Sequence, residues 1–329
     1  MSAVYTTLAI DIGGTNIRLG LLTANSLRPN YIKTFKINEF AGLAEVIELF
    51  LSSAPSHQIT QAAIDVATPV TQDTIKLTNH TWTFSIRGIC QHFGFERLKV
   101  INDFTAMALS IPLLEPSELK QVGGGTADPD GAIALLGAGT GLGVSGLIRS
   151  AAGWYPLSGE GGHVTLGARN ARELAIFAAF WDKYGHMSAE RLLSGTGLEE
   201  FYQVICHLDG KTPEPLQPAE ISGRAIAQTC PACMETMTLF CEWFGIVAAN
   251  LTLSLGATGG VYIGGGIVPN LGDYFIQSGF RAAFETKGRF TRYMQQVPVY
   301  IMDADNPALR GAAAALNQRF DKIGLSCTS

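Results

Sequence analysis

Two glycine-rich turns stand out in this 329-residue chain, Asp11-Ile12-Gly13-Gly14-Thr15 and Gly137-Ala138-Gly139-Thr140-Gly141. Each follows a short apolar run, the first of them ending through Ile10, and each leads into another. A turn free of bulky side chains lets backbone N–H groups and a Thr hydroxyl approach oligophosphate oxygens closely. Two such turns could grip one nucleotide from two sides. Asp11 closes the first apolar run, where a carboxylate can meet a magnesium-bound water; the plainer reading is a tight hairpin. A third run, Gly264-Gly265-Gly266, would let the backbone lie against a flat group such as an adenine ring or a ribose, or would simply cap a helix.

Other residues carry a second kind of chemistry. Asn102-Asp103 closes a short apolar strand and precedes a helical pattern. A carboxylate at the C-terminal edge of an open α/β sheet points into the ligand crevice, although Asp is also a common helix N-cap. Asn beside Asp fits a site that binds a polyol and removes one of its protons. In Gly159-Glu160-Gly161-Gly162-His163 the glycines would let a loop fold around a small ligand, with Glu160 and His163 exchanging hydrogen bonds with hydroxyls; a surface turn is the bland alternative. Ser188-Ala189-Glu190 reads either as one more ligand contact or as helix capping.

The elements that must position these residues follow from apolar periodicity. Strands are predicted at Leu8–Asp11, Arg18–Leu22 and Tyr31–Phe35, then a helix over Ala41–Leu51. Further strands fall at Ala62–Ala67 and Lys99–Asn102, with helices at Ile86–Phe93 and after Asp103, giving the order βββαβαβα. The pattern restarts near Gly131, with Ala132–Leu136 entering the second turn and Val144–Ile148 leaving it. A restart this far along the chain implies duplicated domains and not short repeats. The rest is more helical: Ala171–Tyr184, Ala189–Leu193, a stretch from Gly223 to about Leu255 punctuated by Pro231, and a last helix over Pro307–Arg319. Strands are expected at Val261–Ile263 and Val297–Met302. Gly123–Gly131 is the expected linker or exposed loop.

A composition of 47% hydrophobic and 16% charged residues is that of an ordinary globular protein. The net charge of −5, with no basic run, argues against nucleic acid as a partner. No signal-like N-terminus and no bilayer-length apolar stretch is evident, so a cytoplasmic protein without membrane contact is expected. Six scattered cysteines make no disulfide framework, and reduced thiols are expected. Cys230 and Cys233 form a CxxC, with Cys241 about two helical turns beyond; no second CxxC or His pair completes a metal site, and buried thiols on a helix are expected.

The strings LAIDIGGTN, TNHTW, INDFTAMALSIP, LGAGTGLGV, GEGGHV, SAERLLSG, GGVYIGGGIVPN, SGFRAAFETKGRF and DNPALRGAAA together resemble the bacterial glucokinases of the hexokinase, Hsp70 and actin superfamily. The resemblance runs from residue 8 to about 317. It implies an α/β chain with the two-domain actin-like ATPase (ribonuclease H-like) fold, a cleft lying between a smaller domain (1–112 plus about 303–329) and a larger one (113–302). It implies Asp103 as catalytic base, and Asn102, Glu160, His163 and Glu190 as sugar ligands alongside it. Ile10 to Thr15 and Gly137 to Gly141 match the phosphate turns. ATP, Mg²⁺ reached from Asp11 through water, and D-glucose are the implied ligands. No cysteine cluster follows His163, so the structural zinc of the related repressor group is not predicted. A kinase for mannose, fructose or an N-acetylhexosamine would use much the same machinery, and a non-catalytic nucleotide switch would keep only the glycine turns. A homodimer is expected, with Met234–Ala249 serving either its interface or the domain core.

Overall fold

The computed structural model describes residues 4–328 apart from 25, 56, 79, 152, 318–319 and 321–323. The chain forms two compact units: Met1–Pro116, Ser150–Ser158 and Ala304–Ser329 in one, Ser117–Arg149 and Gly159–Asp303 in the other. In the first, β1 (Tyr5–Ile12), β2 (Asn16–Thr23) and β3 (Tyr31–Lys36) form an antiparallel meander. Then come α1 (Leu43–Ser52), β4 (His57–Val66), the small hairpin β5 (Thr74–Lys76) and β6 (Thr83–Ser85), α2 (Ile86–Phe93), β7 (Arg97–Asn102) and α3 (Asp103–Ser110). The segment 83–94 shows how local signals fix a helix. The Ser85 hydroxyl accepts from the Gly88 N–H at one end of α2, and Gly94 at φ +66° turns the chain off at the other. β4 pairs parallel to β1 and β7 parallel to β4, so the C-terminal ends of all three strands lie at one edge. Leu43, Val46, Ile47 and Phe50 of α1 join the buried residues of these strands in one core.

The second unit opens with β8 (Leu119–Gln121), β9 (Ile133–Ala138) and β10 (Leu142–Ser150). β11 (Gly153–Gly159) belongs mostly to the first unit. There follow α4 (Ala171–Tyr184), α5 (Gly195–Leu208), α6 (Pro218–Ile226), α7 (Pro231–Leu255), β12 (Val261–Gly265), α8 (Ile267–Leu271), α9 (Asp273–Ile276), α10 (Phe280–Glu285), α11 (Thr291–Gln296) and β13 (Val299–Met302). In the sheet, β10, β9, β12, β13 and β8 lie side by side in that order. α7 is apolar over most of its length, and Cys233, Met237, Phe240, Phe244, Val247 and Ala248 bury there with Trp243, while Glu235 and Glu242 lie on its other side in ion pairs with Arg172 and Arg169. The buried hydroxyls of Thr236 and Thr252 satisfy themselves on the carbonyls of Ala232 and Ala248.

The chain then returns to the first unit through α12 (Pro307–Ala315) and β14 (Leu325–Thr328), completing a sheet of order β14-β7-β4-β1-β2-β3. The buried Lys99 amine on β7 donates to the Phe320 carbonyl, and the Arg97 guanidinium to that of Leu316.

Several expectations need correction. Of the two expectations for Gly123–Gly131 the linker fails and the exposed loop holds: the segment lies inside the second unit, largely exposed, where Thr126 N–H reaches the Gln296 carbonyl (3.2 Å) and Asp128 N–H that of Thr258 (3.0 Å). The helical stretch after Gly223 is two helices, with Pro231 at the first position of α7, where its missing N–H costs nothing. Residues 189–193 form only a 3₁₀ turn, Ala189–Arg191. The last helix ends at Ala315, and 318–319 lie outside the described residues. α5 and β14 were not anticipated. α7 is, by length and composition alone, long and apolar enough to cross a membrane, contrary to expectation; half of its most apolar window is buried in the fold. The cysteines are not all reduced either. β14 pairs antiparallel with β7, bringing Cys327 to Cys90 of α2 in a disulfide across 237 residues of sequence. Only tertiary pairing makes that bridge, so cysteine spacing could not reveal it.

Candidate active site

The first unit gathers three carboxyls near one sheet edge. Asp11 is the penultimate residue of β1, side by side with Asp65 of β4, which in turn faces Ile101 of β7. Two residues beyond Ile101, Asp103 opens α3. The Asn102 Oδ1 caps that helix, accepting from Phe104 N–H (3.0 Å) and Thr105 N–H (3.2 Å). Asp103 therefore does not act as the N-cap. Its Oδ1 accepts from the Asn102 side-chain amide (2.9 Å) and from Phe104 N–H (2.9 Å), so the carboxyl is held in one orientation. Asn102 and Asp103 are both half-buried.

Asp11 Oδ2 pairs with the Arg18 guanidinium of β2 at 2.9 Å, and its side chain is 15% exposed. The first glycine turn is closed by Gly13 N–H to the Asn16 carbonyl (3.0 Å), leaving Gly14 and Thr15 exposed between Ile12 and Asn16, while Ile10 is buried in β1. Sequence reasoning missed Asp65. It is fully buried, and neither carboxyl oxygen has a hydrogen-bond partner. Burial first, then the charges of Asp11 and Asp103, push its carboxyl well above the usual carboxylate range. The signal was present as one Asp inside the apolar run Ala62–Ala67. A small crevice beside Gly13 and Gly14 is also lined by Thr78 and His80 of the TNHTW string, likewise not assigned a role from sequence.

The second unit gathers the other predicted residues. The second glycine turn follows β9, and β12 runs parallel beside it with Gly264 opposite Gly137 and Gly265 opposite Ala138. The turn and the triple glycine are thus neighbours, with Gly266 following at the start of α8. A Cβ on Gly137 would stand 2.7 Å from the Gly264 carbonyl carbon, so close approach of two backbones requires glycine there. Gly139 faces open space, its carbonyl accepting from Gly195 N–H at 2.8 Å, and Thr140 is exposed.

Glu190 ties this turn to the GEGGH loop. Its Oε2 accepts from Leu142 N–H at 2.9 Å, and its Oε1 lies 4.0 Å from His163 Nδ1. A Cβ on Gly141 would come within 2.5 Å of that Oε2, which explains the glycine without any ligand. Glu160 and His163 are exposed at the two ends of a 3₁₀ turn, His163 N–H bonding the Glu160 carbonyl at 3.1 Å. The loop is zipped to the Glu190 segment by Ala189 N–H to the Val164 carbonyl (3.0 Å) and Leu166 N–H to that of Met187 (3.0 Å). Ser188 makes no side-chain cap, so the capping explanation of this segment does not hold.

Among the described residues no group of three His, Cys, Asp or Glu is arranged to hold a metal ion. The donor set at the first turn is a single carboxylate, Asp11, already bonded to Arg18. That suits Mg²⁺ held through water and the phosphates of a nucleotide, a hard cation that keeps much of its hydration shell.

The model of the Glucokinase family matches residues 8–319. A glucokinase of Aromatoleum aromaticum is 46% identical over 317 residues, 96% of each chain. The crystal structure of a glucokinase from an Antarctic psychrotroph superposes with a TM-score of 0.85 at 36% identity, over 94% of this chain and 98% of that one. The glucokinase of Balamuthia mandrillaris, solved in complex with glucose, shares the fold at a TM-score of 0.77 and 22% identity, over 95% and 93% of the two chains. The fold is the two-domain actin-like ATPase fold.

Proposed function

The chain belongs to the glucokinase family, and we propose that it transfers the γ-phosphoryl group of ATP to the 6-hydroxyl of D-glucose, with Asp103 as the base. Asp103 takes the hydroxyl proton as that oxygen attacks phosphorus in line. The bonds from Asn102 and Phe104 fix the carboxyl before substrate arrives, and this positioning supplies more than the basicity itself. A loose transition state makes proton removal late, so general-base help is worth about 10²- to 10⁴-fold.

The other roles are assigned residue by residue. Backbone N–H groups of Gly14, Thr15, Thr140 and Gly141 bind phosphate oxygens, while Ile10 to Gly13, Gly137 and Gly139 shape the two turns around them, the Gly13 and Gly139 N–H groups being spent on the Asn16 and Gly141 carbonyls. Gly264, Gly265 and Gly266 lie against the adenosine. Asn102, which keeps a second amide N–H, binds sugar hydroxyls together with Glu160, His163 and Glu190. Magnesium, bound through water to Asp11, offsets charge on the phosphoryl oxygens. The two compact units support a smaller domain of 1–112 plus about 303–329 and a larger one of 113–302, except that 150–158 falls with the first unit. A homodimer working in the cytoplasm completes the reading. Its interface lies outside the core-facing side chains of Met234–Ala249.

The observation that carries the assignment is the fixed Asp103 carboxyl, opening α3 at the edge where the Asp11 strand also ends. The test is sugar-phosphate formation over glucose, mannose, fructose and N-acetylhexosamines, with ATP, ADP and polyphosphate as donors. Turnover is expected to be fastest with glucose and ATP. ATP hydrolysis unaffected by any sugar would overturn the kinase reading.

A further inference from the structure

The catalytic account leaves the Cys230-Pro231-Ala232-Cys233 motif unused. Both thiols are free, as is Cys206. Cys230 is the N-cap residue of the 25-residue helix α7, with extended backbone at φ −137° and ψ 110°, and Cys233 sits three residues on in the first turn. Cys230 is partly open to solvent, whereas Cys233 is fully buried. This is the spacing at which a CxxC closes into a disulfide with little backbone movement. Burial pushes the Cys233 thiol up to about 12. Cys206, in the last turn of α5, is buried against the same group and bonds Tyr202.

The Arg224 guanidinium, bonded to Glu214 at 2.8 Å, acts on both thiols, and the N-terminus of α7 adds its partial positive charge.

We propose that Cys230 and Cys233 form a thiol–disulfide site that reacts with low-molecular-weight disulfides, Cys230 attacking first and Cys233 resolving. The Cys230 thiolate attacks one sulfur of glutathione disulfide, displacing one glutathione thiolate and leaving a mixed disulfide. Cys233 then gives up its proton to solvent and attacks the Cys230 sulfur, displacing the second glutathione. The balance is one disulfide and two protein thiols in, one protein disulfide and two glutathione thiols out.

The native full-length protein, incubated with glutathione disulfide, alkylated and mapped by mass spectrometry, tests this. The four free thiols are expected to fall to two, with a Cys230–Cys233 link, while Cys206 and Cys241 remain alkylated. Cys233→Ala should accumulate one glutathione on Cys230, and Cys230→Ser, which retains a good N-cap side chain, should take none at Cys233. Full alkylation of Cys230 and Cys233 in the treated wild type would overturn the proposal without recourse to any variant. So would a link from Cys206 to either of them.

Discussion

Asp65 occupies the place in the first unit where a charge is hardest to keep. Because burial and two neighbouring carboxylates raise its folded-state value above the ordinary 3.8, the folded protein binds a proton there more tightly than the unfolded chain does. That contribution to stability is fully present below pH about 3.8 and is lost as pH rises through the raised value. Against Asp65→Asn, which is neutral throughout, the wild type should lose thermal stability as pH rises from acid towards neutrality. Parallel midpoint profiles for the two proteins would show that Asp65 does not titrate this way. The catalytic candidates were readable in sequence because each lies in a short string with its own glycines or its own Asn. Asp65 was not, since a lone Asp in an apolar run says nothing until the register places it beside Asp11. The bond from Leu142 N–H to Glu190 was invisible for a similar reason, its partners being 48 residues apart.

The second glycine turn separates glycines that serve the fold from glycines that leave room for a ligand. Gly137→Ala drives a methyl group into the backbone of β12, which cannot rotate away as a side chain can. A loss of about 1–3 kcal/mol in denaturant unfolding is expected. Gly139→Ala meets nothing within 4 Å, so stability should stay within about 0.5 kcal/mol while the KM for ATP rises. Equal stability for the two variants would remove the distinction. Glycine runs marked both turns from sequence alone, yet both effects give the same letter. The longer strands and helices were legible from periodicity, whereas α5, the short helices α8 to α11 and the strands β5, β6, β8, β11 and β14 were not, and β14 is defined mainly by its pairing with β7.

For the whole molecule, the Cys90–Cys327 bridge closes a loop of 237 residues in a chain of 329. Reducing it should lower stability by about 2–5 kcal/mol. Calorimetry of Cys327→Ser beside the oxidised wild type reads this directly, and coincident midpoints would mean that the bridge contributes nothing. The duplicated organisation and the glycine turns were visible in sequence, but the return of the C-terminal strand was not.

The central claim is that Asp103 removes the sugar proton in an ATP-dependent phosphorylation of glucose. Steady-state turnover of Asp103→Asn with glucose and ATP, read together with glucose binding by calorimetry, tests it most directly. A kcat lowered by about 10²- to 10⁴-fold with glucose binding retained is the predicted result. Near-normal turnover in that variant would contradict the account.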